Sequence, residues 1–394
     1  MTLSSLPSLP IPDADAQQAS AALVSRIRDE ISRADGWIGF DRFMEMALYT
    51  PGLGYYSGGA HKFGAAGDFI TAPELTPIFA QTLAVQAQQI LSLSAPHIIE
   101  VGAGSGRLAA DMLLELERRD SLPDSYRILD LSGELRERQQ ATIAELAPHL
   151  LPRIDWLDRL PERFSGLVLA NELLDALPVH RVRWGGEDAP ETIFERGVAW
   201  QDGFVWDDRR AEGRVLEQAQ KIAVEYQPPA GYVSEISLVA GDWTAVWGNI
   251  LACGALLLID YGFPRHEFYH PQRNDGTLMC HYRHRAHSEA FFLPGLQDIT
   301  AHVDFTAIIE SGYEAGLDLL GYTSQAQFLL NSGVTDILAR TPFEDSKRYL
   351  PRARAVQKLV SPAEMGELFK VIALGKGIAE TLAGFAVDDR SVSL

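Results

Sequence analysis

Cysteine and basic residues are both scarce in this chain. The two cysteines, Cys253 and Cys280, cannot form a disulfide framework or a four-cysteine zinc site within one chain, so we expect a reducing compartment. Lys and Arg number 34 against 53 Asp and Glu, which gives a net charge of −19. Such a surface repels a nucleic-acid backbone and attracts a cationic partner, such as a basic protein segment. We therefore expect no nucleic-acid partner.

Long apolar runs are also missing. The longest, Ile250 to Ile259, contains Gly254 and is about half the ~20 residues that cross a bilayer. Residues 1–18 are rich in Ser and Pro and lack a basic segment, which favours a loose lead-in over a signal peptide. We expect a soluble cytoplasmic protein without a membrane span. With 394 residues, 46% of them hydrophobic, the chain can bury a substantial core.

A glycine series is the clearest chemical signal in the sequence. A strand pattern at 97–101 leads into Gly102, Gly104 and Gly106, and residues 107–114 then have helical periodicity. A strand, turn and helix of this kind is typical of a nucleotide-type binding loop. Glycines also serve ordinary turns, so the loop by itself leaves both interpretations open.

The glycine spacing separates two cofactor classes. A dinucleotide fingerprint requires its third glycine at position 107, and that position is Arg107. The observed order, with Glu100 two residues before Gly102 and the third glycine at Gly106, resembles motif I of the class I methyltransferases that use S-adenosylmethionine (SAM). This spacing favours SAM over NAD.

Strand and helix patterns alternate after the glycine loop, which predicts an α/β fold with a mostly parallel, seven-stranded sheet. Most of these strands end in or beside a polar residue, and ligands of such sheets bind beyond the strand ends. Besides 97–101, we predict strands at 126–130, 153–156, 166–170, 254–260, 317–322 and 368–374.

The organisation around this sheet can also be predicted. We expect a helical extension over 1–90 with a glycine-rich loop, and an inserted β-meander over 179–231. The cofactor-binding core is then discontinuous, over 91–178 and 232–376, with a helical insertion at about 323–366. Residues 377–394 form a tail.

Acids follow the second and fourth strands. Asp130 lies one strand and helix beyond the glycine loop, where a carboxylate accepts both ribose hydroxyls of an adenosyl cofactor, although a polar strand end would also explain it. Glu172 and Asp175 are three residues apart, a spacing that puts both on one side of a helical turn. They could be first-turn acids favoured by the helix dipole or carboxylates that clamp a guanidinium.

The run Cys280 to His287 contains His281, His284 and His287. Histidines three apart on an extended strand do not present a compact tetrahedral set, and no H-x-x-x-H or C-x-x-C spacing accompanies them. We predict no metal here, and His284 as a residue that lines the site.

Several further motifs accompany the glycine loop. They are Asp130-Leu131-Ser132, residues 171–178, residues 67–71, Asp260-Tyr261-Gly262, Gly276-Thr277-Leu278 with His284, and residues 298–305. The combination, from about Ile38 to Lys376, resembles the MidA family of SAM-dependent methyltransferases, which is related to a mitochondrial complex I assembly factor. The family commonly has Glu where this chain has Asp130.

The resemblance implies a class I, Rossmann-like methyltransferase core and SAM as cofactor. In the mitochondrial relative it implies dimethylation of an arginine on a complex I subunit, so the expected partner is a protein substrate. The implied cofactor residues are Thr71, Glu100, Gly102, Ala103, Gly104, Gly106, Asp130, Leu131, Asp155, Trp156 and Asn171. The implied catalytic residues are Asn171, Glu172 and Asp175, and the implied substrate-binding residues are Asp68, Glu74, Tyr261, His284 and Asp304.

Two other functions remain as alternatives. A non-catalytic assembly protein could retain the same fold and ligand. A nucleic-acid amino-methyltransferase would normally carry Asn-Pro-Pro-Tyr after the fourth strand, and both Asn171-Glu172-Leu173-Leu174 and the negative charge oppose it.

Overall fold

The computed structural model describes residues 9–58, 71–130, 132–186 and 191–394. Asp68 and Leu131, both predicted site residues, lie outside these ranges. The α-helices of the described part are α1 Ala14–Arg33, α2 Phe40–Tyr49, α3 Ala72–Leu75, α4 Pro77–Leu93, α5 Arg107–Arg118, α6 Gly133–Leu146, α7 Gly213–Tyr226, α8 Leu238–Ile250, α9 Arg265–Phe268, α10 Phe305–Glu314, α11 Gln325–Asn331, α12 Val334–Ala339 and α13 Ser346–Val360.

The strands of the same residues are β1 Trp37–Gly39, β2 His97–Val101, β3 Ser125–Leu129, β4 Ile154–Leu157, β5 Phe164–Asn171, β6 His180–Trp184, β7 Ile193–Trp200, β8 Phe204–Arg210, β9 Tyr232–Ile236, β10 Leu251–Phe263, β11 Met279–Tyr282, β12 Arg285–His287, β13 Asp298–Thr300, β14 Val303–Asp304, β15 Asp318–Ser324 and β16 Phe369–Lys376. Within the described ranges, no helix has the length and apolar character needed to span a bilayer.

The chain divides into two compact units. The core unit comprises Ile70–Leu174, Ala240–Arg265 and Val303–Leu394, and the accessory unit comprises Met1–Phe69, Asp175–Val239 and His266–His302. This division differs from the predicted domains in several places. Residues 175–178 and 232–239, expected in the core, are in the accessory unit, and the predicted tail 377–394 is in the core unit. The helix α4, expected in the N-terminal extension, belongs to the core unit because its apolar side chains are buried in the cluster that also holds β2 and β5. Residues 266–302, expected in the core, belong to the accessory unit.

The core unit is built on one mixed sheet with strand order β15, β16, β10, β5, β2, β3, β4, and β14 adds to β10. The strands β10, β5, β2, β3 and β4 are parallel to their neighbours, whereas β16 is antiparallel to both β10 and β15. The predicted seven-stranded, mostly parallel sheet is thus corrected to a mixed sheet with eight strands in the described residues. Every residue of β16 except the last is buried, and the pattern of a strand buried on both faces does not encode its direction.

The accessory unit contains two antiparallel sheets. In the larger, the meander β6, β7 and β8 is present as predicted, and β1 and β9 extend it. The smaller sheet has the order β12, β11, β13. The strands β11 and β12 form a hairpin whose turn residues, Arg283 and His284, both have positive φ. The predicted amphipathic helix near the N-terminus is α1, with Leu23, Ile27 and Ile31 buried.

Candidate active site

The carboxyl ends of five parallel strands lie at one edge of the core sheet. The strands β2 and β5 are neighbours, and the chain continues from β2 towards β3 and β4 on one side but from β5 towards β10 on the other. A reversal of strand order of this kind opens a crevice outside the strand ends, where ligands of open α/β sheets bind. The glycine loop follows β2 at this edge, and Asn171 ends β5.

The loop glycines differ in what lies next to them. Gly102, Gly104 and Gly106 all have left-handed φ angles, of 70°, 53° and 83°, a region that favours glycine. A Cβ atom at Gly106 would lie 2.9 Å from the Cα of Gln139 in α6, whereas one at Gly104 would meet no atom of the described residues within 4 Å. Gly106 therefore lets α6 approach the loop, and Gly104 leaves open space over the backbone.

Glu100 is a buried acid in the middle of the sheet. Its side chain accepts a hydrogen bond of 2.6 Å from the Tyr126 hydroxyl, and the residue is only 2% exposed. Burial raises the pKa of the Glu100 carboxyl from 4.5 to about 7, and the nearby charge of Asp130 acts in the same direction. Between these two pH values the Glu100 carboxyl is protonated in the folded chain and ionised in the unfolded chain.

We expect this buried acid to make stability depend on pH. Because its pKa is raised in the folded chain, the folded state keeps a proton that the unfolded state has lost, and stability falls as pH rises from about 4.5 to about 7. Relative to Glu100→Gln, the free energy of unfolding of the wild type should fall by about 2 kcal/mol between pH 5 and pH 8. Urea unfolding of both proteins measures this difference, with Glu137→Gln as an exposed control. A difference that is constant with pH would contradict the raised pKa.

Gln139, which the sequence analysis did not predict as a site residue, links Asp130, Trp156 and the glycine loop by hydrogen bonds. The side-chain amide of Gln139 donates 2.9 Å to Asp130 Oδ2 and 3.3 Å to the carbonyl of Gly104, and its oxygen accepts 2.9 Å from Trp156 Nε1. Gln139 is fully buried. Gln139 therefore orients both Asp130, the acid predicted to bind the ribose, and Trp156, predicted to lie beside the adenine. Asp155, which precedes Trp156, is exposed.

The segment after β5 is held by a second residue missing from the predicted site, Asp260. This carboxylate is 1% exposed and accepts hydrogen bonds from the backbone amides of Leu173 at 3.1 Å, Leu174 at 2.8 Å and Tyr261 at 2.9 Å. The same segment contains Glu172, whose φ of 50° is left-handed. Non-glycine residues in this region carry strain that the surrounding structure must support, and the Asp260 contacts supply that support.

The predicted helical turn through Glu172 and Asp175 is wrong. Glu172 lies in a bend outside any helix, and only a short 3-10 turn, Leu174–Ala176, follows it. The left-handed φ of Glu172 accounts for this, because it keeps the backbone out of the right-handed helical region. The Asn171 side-chain amide donates 3.1 Å to Glu172 Oε1. Its buried Oδ1 has no hydrogen-bond partner among the described residues, so it can accept from a ligand.

One residue of α3, Glu74, contacts the glycine loop. Glu74 accepts a short hydrogen bond from the Ser105 hydroxyl, which itself accepts 3.3 Å from the backbone amide of Arg107. Thr71 precedes α3 without a capping hydrogen bond from its side chain. Glu74 thus supports the loop, and Ala103, within the loop, is 6% exposed.

Two predicted substrate residues of the core unit make contacts within the fold. The ring of Tyr261 packs 5.3 Å from that of Phe369. Asp304 caps α10 through the amide of Ala307 at 3.2 Å and pairs with Arg265 at 2.9 Å. Burial raises the pKa of the Asp304 carboxyl even beside that cation. Substrate binding by these residues stays a prediction.

Asp175 and His284 belong to the accessory unit. Asp175 is 6% exposed, and its carbonyl accepts 2.9 Å from the amide of Ala301. His284 is exposed in the turn between β11 and β12. The predicted site residues therefore fall into two sets, with the glycine loop, Asp130, Trp156, Asn171 and Glu172 together in the core unit.

Known proteins resemble this chain over most of its length. Residues 79–323 match the model of a family described as S-adenosyl-L-methionine-dependent methyltransferases. The mitochondrial protein arginine methyltransferase NDUFAF7 of Mus musculus is 28% identical, and the match covers 87% of this chain and 82% of that protein. The Homo sapiens protein of the same name is 26% identical, and the match covers 87% of this chain and 81% of that protein. A crystal structure from Burkholderia thailandensis, bound to S-adenosyl-homocysteine, is 52% identical with a TM-score of 0.94 and covers 98% of this chain and 100% of its own.

Proposed function

Because this chain belongs to the family of S-adenosyl-L-methionine-dependent methyltransferases, we propose that it methylates an arginine side chain of a protein. The choice of arginine as acceptor is supported by the relatives that are named protein arginine methyltransferases. A net charge of −19 suits a cationic protein segment. A subunit of a complex I-type respiratory assembly is the proposed acceptor protein, because the family resemblance extends to a complex I assembly factor.

Residues of the core unit fit this cofactor. Gly104 leaves open space over the loop backbone, where the cofactor can approach closely. Asp130, at the end of β3 and oriented by Gln139, offers a carboxylate to the ribose hydroxyls. The buried Oδ1 of Asn171, without a partner among the described residues, offers an acceptor to a hydrogen-bond donor of the cofactor. When bound, SAM supplies an electrophilic methyl group on a sulfonium sulfur.

The observation that carries the acceptor assignment is the fixed carboxylate of Glu172. A guanidinium stays protonated near neutral pH, with a pKa above about 12, and its nitrogens are poor nucleophiles in that form. Glu172, held by Asn171 and by the segment that Asp260 anchors, would accept hydrogen bonds from two guanidinium N–H groups. This pairing draws positive charge towards the bonded side and leaves another nitrogen freer to use its lone pair. Asp175 stays a predicted acceptor-binding residue.

We expect Gln139 to act as a positioning residue for the cofactor. Gln139→Met keeps a side chain of similar length but removes the hydrogen bonds to Asp130, Gly104 and Trp156. S-adenosylhomocysteine binding should weaken about tenfold, since a net loss of about 1.4 kcal/mol is within the range of one or two hydrogen bonds. The KM for SAM should rise while kcat changes little. Gln140→Met, at the exposed neighbouring position, is the control, and equal effects of the two substitutions would refute the role.

A transfer assay tests the proposed function. Purified protein is incubated with SAM labelled in its methyl group and with a lysate from cells that lack the gene, and labelled proteins are hydrolysed to amino acids. We expect the label in methylarginine, and no label with Glu172→Gln. Label in lysine or in a carboxyl ester would overturn the arginine assignment, and absence of any protein label would overturn the proposed activity.

A further inference from the structure

Three side chains with metal-ligating atoms converge in the accessory unit. Asp41 comes from the first turn of α2, His180 begins β6 and Glu195 lies in β7. His180 Nδ1 is 2.7 Å from Glu195 Oε1 and 3.4 Å from Asp41 Oδ1. One potential ligand atom from each residue lies within 4.8 Å of the other two. The three residues are far apart in the sequence, so no spacing motif could have revealed them.

Two carboxylates of the cluster face the same imidazole nitrogen. The single N–H at His180 Nδ1 faces two carboxylates, and it can serve both only by a shared, weaker bond. The neighbouring cation, Arg42, turns instead to Glu30 at 2.9 Å and Glu45 at 2.7 Å. Two carboxylates beside one imidazole attract a cation.

The missing side chain at position 39 makes room for the Asp41 carboxylate. Gly39 ends β1 next to Asp41 and has an ordinary extended backbone. A Cβ atom on it would overlap Asp41 Oδ1 and would lie 3.1 Å from Glu195 Oε1. The side chains of Asp41, His180 and Glu195 are 31%, 15% and 15% exposed, so small solutes can reach the cluster. Glycine at position 39 thus lets the Asp41 carboxylate lie against the end of β1, close to Glu195.

We propose that Asp41, His180 and Glu195 bind a divalent transition-metal ion. One imidazole nitrogen and two carboxylate oxygens form a ligand set that Zn²⁺ and Mn²⁺ accept. An ion about 2.1 Å from each ligand in a tetrahedral site places the ligand atoms about 3.4 Å apart. The His180 and Asp41 atoms already have this separation, 3.4 Å, and the His180 and Glu195 atoms, at 2.7 Å, must move apart by about 0.7 Å.

Charge and protons balance in this exchange. Starting from the imidazolium form of His180, the ion replaces the proton at Nδ1, which is released to solvent, while Nε2 keeps its hydrogen. The neutral imidazole with two carboxylates then compensates the two charges of the ion. Water fills the remaining coordination position, as in zinc sites with three protein ligands. The ion would join α2 to β6 and β7, and it would therefore stabilise the accessory unit by binding the folded chain.

Calorimetric titration of the full, chelator-treated chain with Zn²⁺ tests this site. We expect one ion per chain in the wild type and at least about tenfold weaker binding in Glu195→Gln and in Gly39→Ala, which keeps all three ligands but displaces Asp41. His149→Ala removes a comparable exposed contact, 2.9 Å from Glu117, and should bind Zn²⁺ as the wild type does.

Thermal unfolding provides the second measurement. Zn²⁺ should raise the Tm of the wild type and of His149→Ala, and should raise that of Glu195→Gln by less at the same Zn²⁺ concentration. Circular dichroism in the absence of metal establishes that each variant is folded. The proposal is overturned if the wild type takes up no stoichiometric ion, or if Glu195→Gln and Gly39→Ala bind it as tightly as the wild type.

Discussion

Replacement of Asp130 by alanine should weaken S-adenosylhomocysteine binding by about 100-fold or more. The substitution removes the carboxylate that we assign to both ribose hydroxyls, and each hydrogen bond to a charged group contributes about 1.5 to 3 kcal/mol. It also leaves the buried amide of Gln139 without its bond of 2.9 Å, which loosens Trp156. Isothermal titration of the purified variant measures the change.

Asp130→Glu is the matched control for this experiment. It keeps the carboxylate on a side chain one methylene longer, and the MidA family commonly has Glu at this position. We expect binding within about tenfold of the wild type, because the hydrogen-bonding group is retained. If Asp130→Ala binds the ligand as the wild type does, the ribose assignment at the end of β3 is wrong.

Glu172→Gln should abolish methyl transfer and spare cofactor binding. The amide has the shape of the carboxylate but carries no charge, so it cannot draw the positive charge of a guanidinium to one side. We expect transfer to fall by about 100- to 10,000-fold, the range for groups that act on the reacting atoms. S-adenosylhomocysteine binding should stay within about threefold of the wild type, since the backbone there is held by Asp260 rather than by the Glu172 side chain.

The control for this second experiment is Glu137→Gln, which removes one exposed charge from α6. It should leave both transfer and binding unchanged. A Glu172→Gln variant that loses cofactor binding while its residual transfer remains normal at saturating SAM would contradict the assignment, because Glu172 would then serve the cofactor and not the acceptor.

The sequence contained enough information to predict the part of the site that follows the strands. Apolar runs that end in Glu100, Asp130 and Asn171 combine a strand period with a polar terminus, and parallel strands bring such termini to one edge. Gln139 could not be found this way. The helix α6 is polar, and no feature of its sequence distinguishes buried Gln139 from exposed Gln140. Gln139 differs from Gln140 only because α6 packs against Gly106 at Gln139.

The sequence also does not reveal the direction of a fully buried strand or the contacts between residues that are far apart in the chain. Every residue of β16 from Phe369 to Gly375 is buried, so its pattern is the same for a parallel and an antiparallel strand. Asp304 is predicted in the substrate site because of its motif, but its partner Arg265 lies 39 residues away. Glu172 shows a related limit, because its left-handed backbone depends on Asp260 from another strand.

The central claim, that this chain methylates protein arginine through Glu172, is tested most directly by quantitative mass spectrometry of arginine methylation in cells. Cells that lack the gene are compared with cells that carry the wild type or Glu172→Gln. We predict that at least one methylarginine is lost on deletion, is restored by the wild type and is not restored by Glu172→Gln. An unchanged set of methylarginines, or restoration by Glu172→Gln equal to that by the wild type, would contradict the claim.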